Sequence, residues 1–189
     1  MVRFAFKEWA VVCEALGRGE QALILRKGGI AEENGEFRPD HARFWLFPTY
    51  LHQKAEGLKP SVAARLHRLE EEKPAGNTVT LTHYVEVARP FRSLRLESLL
   101  ELDPLHVWSE ATVRMRFAYR EPGLFVLPAR VFRVPEPVTV INKPEYDGCK
   151  TWVDLENDWP ANGIPVLDDR QFADVLETID RVLNPVAKV

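Results

Sequence analysis

The chain has 189 residues, a size at which a single hydrophobic core holds without disulfide or metal staples. With 46% hydrophobic and 28% charged residues and a net charge of −3, it is neither a low-complexity disordered chain nor a strongly basic nucleic-acid binder. Cys13 and Cys149 are its two cysteines, far apart and in no C-x-x-C pair, which signals neither a disulfide framework nor a thiolate metal site.

The charge is unevenly spread. From Thr151 to Val189 there are eight acids against Arg170, Arg181 and Lys188, a net of −5, which leaves +2 on residues 1–150. This pattern permits a basic face on the main body and an acidic terminal element. The start, Met1-Val2-Arg3-Phe4, runs into Lys7 and Glu8 with no apolar stretch of signal-peptide length, and no later segment has the length of a membrane span. A cytoplasmic protein is expected, organised as one domain over 1–189: a body over 1–150 and an acidic C-terminal extension over 151–189.

In chain order, Ala5 to Leu16 admits two readings. Ala5, Trp9, Val12 and Leu16 follow helical spacing, while Ala10-Val11-Val12-Cys13 equally suits a buried strand. Ala22 to Leu25 is a short apolar run feeding the turn Arg26-Lys27-Gly28-Gly29, and Ile30 to His41 is polar and loop-like. Phe44 to Phe47 reads as a buried strand stopped by Pro48, whose missing amide hydrogen cannot serve a ladder. Val62, Leu66 and Leu69 mark one face of a helix ending before Pro74. Val79 to Val87 alternates as a strand, and a short helix is expected at Leu96 to Leu102. Val113, Met115, Phe117 and Tyr119 alternate with Thr112, Arg114, Arg116 and Ala118, predicting another strand before the turn Glu121-Pro122-Gly123 and a strand from Leu124 to Val134. Asp168 and Gln171 form a capping box ahead of Phe172, Val175, Leu176, Ile179 and Leu183, a helix stopped by Asn184-Pro185. The elements predict an α+β fold: a curled, mostly antiparallel sheet or small open barrel with a few flanking helices and a C-terminal helix.

Phosphate-binding, dinucleotide-binding, zinc-protease and serine-nucleophile motifs are all missing from the sequence. Arg26, Lys27, Gly28 and Gly29 place two cations and two flexible residues at a strand end, a pattern suited to an anion such as phosphate and equally to a solvated turn. Trp45, Tyr50, His52 and Gln53, with Phe47 and His41 close in sequence, combine aromatic faces with hydrogen-bonding groups, which suits an unpaired base; Trp45 and Phe47 also suit a core. Cys149 beside Lys150 is a candidate reactive thiol or a buried one packed by Trp152. The alternating acids Asp154, Glu156 and Asp158 lack the glycine and terminal glutamate of a calcium loop. Pro39-Asp40 with Glu71-x-Lys73 imitates a magnesium-nuclease pattern, but its second half falls on a helix. No metal or cofactor is assigned.

Lys7-Glu8-Trp9-Ala10, Glu14-Ala15-Leu16, Leu25 to Ile30, Phe47-Pro48-Thr49, His52-Gln53 and Gly148-Cys149 through Trp152 together resemble the prokaryotic domain-of-unknown-function family 1802 over nearly the whole chain. That resemblance implies a link to restriction or defence systems. The strand ends Leu25-Arg26-Lys27-Gly28 and Phe47-Pro48 are similar to the opening of Nudix hydrolases, but Arg68 to Glu72 does not match their metal-binding helix. Gly19 to Arg26 and Tyr84 to Pro90 look like the small PUA/ASCH-like barrels of RNA-binding and modified-base-reading domains. The leading expectation is a nucleic-acid-binding accessory module. The alternatives are a metal-dependent hydrolase of nucleotides or nucleic acids, using Asp40, Glu70 to Glu72 and Lys73, and a non-enzymatic subunit that binds a protein partner through its C-terminal helix.

Overall fold

In the computed structural model, which describes residues 1–27, 41–74, 76–148 and 150–184, eight strands form one sheet. The strands are β1 (Val2–Trp9), β2 (Leu23–Arg26), β3 (Arg43–Thr49), β4 (Thr78–Val87), β5 (Phe91–Ser93), β6 (Leu124–Ile141), β7 (Trp152–Trp159) and β8 (Ile164–Pro165). The helices are α1 (Ala10–Gly17), α2 (Pro60–Ala63), α3 (Leu66–Glu71), α4 (Leu96–Glu101), α5 (Glu110–Ala118) and α6 (Asp169–Leu183). The main path runs β2-β6-β4-β3-β1-β7, with β5 and β8 also on β6. All pairs are antiparallel except β1 with β3, whose crossover passes through α1 and β2. This is the expected α+β class with a curled, open, mostly antiparallel sheet.

Alternation assigns side chains to two cores. Phe6, Phe44 and Leu46 point to the face covered by α1, α4 and α5, where they join Leu16, Leu25, Trp108 and Leu127. Ala5, Trp45 and Phe47 point to the opposite face and meet Leu81, Tyr84, Val153 and Leu155. With both faces covered, Phe44 to Phe47 reads as an unbroken apolar run.

Several expectations need correction. Residues 5–16 divide into a strand followed by a helix, so Ala10 to Cys13 is helical. β3 continues through Pro48, because β4 pairs only with Arg43 to Trp45 and asks no amide hydrogen of position 48. The helix marked by Val62, Leu66 and Leu69 is broken into α2 and α3. The largest correction is at 112–119, expected as a strand, where the chain instead forms α5 over Glu110–Ala118. Ser109 accepts from the Thr112 amide as its N-cap, and Glu110 pairs with Arg114 one turn on. The apparent period of two was an overlap, since Val113 and Phe117 are also four apart.

β6 is longer than expected and carries a wide bulge. Leu81 faces Val138 and His83 faces Arg133, so two steps on β4 span five on β6, and Val134 to Pro137 swells out of the ladder. Pro135 and Pro137 fit there because neither has an amide hydrogen to lose. Residues beyond 150 contribute β7, paired with β1, and α6, with its capping box as expected. The apolar side of α6 buries Phe172, Ile179 and Val182 against the same chain, while Arg89 holds Asp180 and Arg130 holds Asp169.

Candidate nucleic-acid interface

β1 places Phe6 and Glu8 two residues apart on its helix-covered face. The side chain of Arg26 crosses from the end of β2 to this face. Its guanidinium lies over the Phe6 ring, 4.6 Å from the centroid, and its Nη2 donates to the Thr151 hydroxyl at 2.8 Å. From the other side α5 brings Arg116, whose guanidinium stacks 3.7 Å above the centre of the buried Trp108 ring. Glu8 is only 5% exposed and its Oε1 accepts from the Trp9 amide at 2.9 Å.

These three charges sense one another. Burial pulls Arg26 below its ordinary value, and Glu8 partly restores it. Burial likewise lowers Arg116, Glu8 raises it and Arg26 lowers it further. The group is thus two cations within electrostatic reach of one recessed carboxylate, with no described ion pair among them, a net of +1. Each guanidinium has five N–H donors. One bond of Arg26 and none of Arg116 is made to another described side chain, so donors remain for a ligand. A guanidinium already stacked on a ring is pre-oriented for a planar or tetrahedral anion, and the low local dielectric strengthens that attraction.

The surrounding wall is aromatic. Trp9 packs on Trp108 with centroids 5.0 Å apart, and Gly57 permits this, since a Cβ there would sit 3.2 Å from the Trp9 ring. Trp152 meets Phe6, Phe44 and His41 edge-on, and His41 stacks on Phe4. At the start of α1, Gln53 accepts from the Val11 amide at 3.0 Å. Gln53 thus holds the start of α1, just past the end of β1, while Arg26 lies over Phe6 within the strand.

The profile of the family described as Domain of unknown function (DUF1802) matches residues 5–178. The chain belongs to that family. This DUF1802 chain is also similar to solved structures of ASCH from Zymomonas mobilis: 10% identity and a TM-score of 0.47, with 92% of this chain and 93% of that one covered. Two substituted forms of the same protein give TM-scores of 0.45 and 0.42 at 10% and 12% identity, over 92% of this chain and 96% and 94% of theirs. Among curated proteins none matches.

The other residues singled out in this DUF1802 chain are dispersed. The Lys27 ammonium is occupied by the carbonyls of Phe117, Glu121 and Gly123, closing the end of α5. Trp45 is fully buried and donates its indole N–H to the Val2 carbonyl at 3.1 Å, so it offers no stacking face, and Phe47 is 2% exposed in the same core. Tyr50 is half-buried and lines a separate groove along α1. His52 is exposed in the left-handed region, φ 63°, uncommon for a non-glycine residue. Gly28, Gly29, Asp40 and Cys149 lie outside the described residues. Glu71 faces His67 and Lys73 faces Glu70 on the solvent side of α3. Asp154 pairs with Arg3 and Glu156 with Lys143. Among the described residues no three His, Cys, Asp or Glu side chains are grouped to hold a metal ion, and no helix is long and apolar enough to cross a membrane.

Sequence reasoning missed Glu8 and Arg116. Arg116 was hidden by the strand reading, although Ser109-Glu110 is a legible helix start. Glu8 gave no linear signal, because its burial comes from strand order.

Proposed function

We propose that this protein binds single-stranded nucleic acid at the mouth formed by Arg26, Arg116, Glu8 and Thr151. The observation that carries this reading is the pair of ring-stacked guanidiniums, Arg26 on Phe6 and Arg116 on Trp108, both within electrostatic reach of the recessed Glu8. The arginines take backbone phosphate and Glu8 accepts from an amino or imino N–H of a base. A carboxylate this recessed is out of reach of a paired base inside a duplex, so the base must be unstacked or single-stranded. The modest overall charge agrees with a short footprint rather than a long electrostatic track. Of the residues singled out in the sequence, Arg26 binds, Gln53 holds the first turn of α1 in place beside Glu8, and Trp45 and Lys27 serve the fold.

Fluorescence anisotropy with labelled single-stranded and duplex oligonucleotides at low salt tests this. Single strands bind in preference to duplex, and affinity falls with added salt. Equal or absent binding of both forms, or full affinity in Arg26→Ala with Arg116→Ala, removes the reading.

A further inference from the structure

Between α1, α3 and the edges of β3 and β4 lies a groove of about 720 Å³, within the size range of small-molecule sites. Its lining includes the apolar Leu46, Pro48 and Leu69 together with Thr80, Thr82 and the half-buried Tyr50. Cys13 lies between the groove and β1: it lines the groove, and its thiol donates to the main-chain carbonyl of Glu8 at 3.7 Å.

Charge separates the two hollows. Arg18, Arg65 and Arg68 of the groove lining are each already ion-paired, with Glu14 and Glu72 in the lining and with Glu20 just outside it. The mouth carries +1. A phosphate therefore prefers the mouth, and a neutral planar ring with polar edges suits the groove. The outer wall is α3, whose Leu66 and Leu69 pack against the core and which is tied to α1 through Arg68 and Glu14.

We infer that the groove along α1 is a subsite for the base and sugar of the nucleotide next to the one held at the mouth. The inference rests on the proposed function and extends it: the minimal ligand is a single-stranded segment longer than one nucleotide.

Calorimetric titration of the full chain with adenosine monophosphate and with a six-nucleotide oligoadenylate tests it. Thr80→Trp and Leu69→Trp each fill the groove from a different element and from a residue that is not fully buried, and circular dichroism checks that both are folded. Filling the groove weakens the hexanucleotide about tenfold and leaves the mononucleotide unchanged. Unchanged hexanucleotide affinity in a folded variant overturns the subsite while the mouth stands. Equal loss of both probes overturns the separation of the two hollows. If the native chain binds neither probe, the subsite falls together with the proposed function.

Discussion

Arg26 and Thr151, 125 residues apart in sequence, meet through a 2.8 Å hydrogen bond from the guanidinium to the hydroxyl. Arg26 ends β2, at one end of the strand order, and Thr151 precedes β7, at the other. A side chain thus bridges an open seam that no backbone ladder closes, and the same side chain forms one wall of the candidate mouth. Stability and the proposed binding are therefore coupled through it.

Thr151→Val keeps the shape and removes the acceptor, so it lowers stability by about 1–2 kcal/mol. Arg26→Ala also strips the Phe6 face and leaves Glu8 with one cation fewer, and costs about 2–3 kcal/mol. Urea denaturation of the two variants gives the order. Equal stability of Arg26→Ala and the native chain would show that the seam is held without this bridge.

Glu8→Gln tests the electrostatics of the mouth. Glutamine retains the oxygen that accepts from the Trp9 amide but raises the local charge from +1 to +2. Oligonucleotide affinity at low salt rises by about threefold to tenfold, while stability falls by about 1–3 kcal/mol as the arginines lose their counter-charge. Weaker binding in a folded Glu8→Gln protein would show that the loss of the carboxylate's contact with the base outweighs the gain in local charge.

Two histidines set a pH dependence. Burial, with Arg133 nearby, pushes His83 down to about 4. Burial, with Lys59 and Arg116, pushes His106 down to about 4, and neither of its ring nitrogens has a described hydrogen-bond partner. Both stay neutral in the folded chain and take up a proton on unfolding below their ordinary value of 6.5. The unfolded state then binds more protons, so the stability they contribute is complete above pH 6.5 and is lost as pH falls toward 4. The loss is at most about 1.4 kcal/mol per pH unit for each histidine. Urea midpoints between pH 7 and 5 follow this slope, and His106→Leu flattens it. A flat native profile would contradict the burial of both rings.

Gly163 is required for space. A Cβ there would lie 2.9 Å from the Arg133 carbonyl, the Phe132 Cβ and the Tyr84 ring. Because one of these is backbone, Gly163→Ala costs about 1–3 kcal/mol and loosens β8 from β6, which thermal unfolding and hydrogen exchange at Phe132 and Arg133 detect. An unchanged melting temperature would mean that β8 shifts freely.

Much of the fold was legible where a local rule acts alone. The capping box at Asp168 and Gln171 located α6, and the Val79 to Val87 alternation located β4, because caps and sheet pleats are short-range effects. The strand reading of 112–119 failed because Val113 and Phe117 satisfy both periods, and Ser109 breaks the tie. The site was legible only in part. Arg26 and Gln53 stand beside it, but Trp45 and Phe47 share the composition of a stacking surface and go to the core, since alternation along β3 buries both. Glu8 and Arg116 depend on β1 lying next to β3 and on α5 packing across them, relationships between distant segments that linear spacing does not carry.

The most direct measurement is the salt dependence of single-stranded oligonucleotide binding by anisotropy, for the native chain and for Arg26→Ala and Arg116→Ala. Each arginine that neutralises one phosphate contributes about 0.7 to the slope of log affinity against log salt, so each variant binds more weakly and with a slope shallower by about that amount. Identical slopes and affinities in all three folded proteins would contradict phosphate recognition at this mouth.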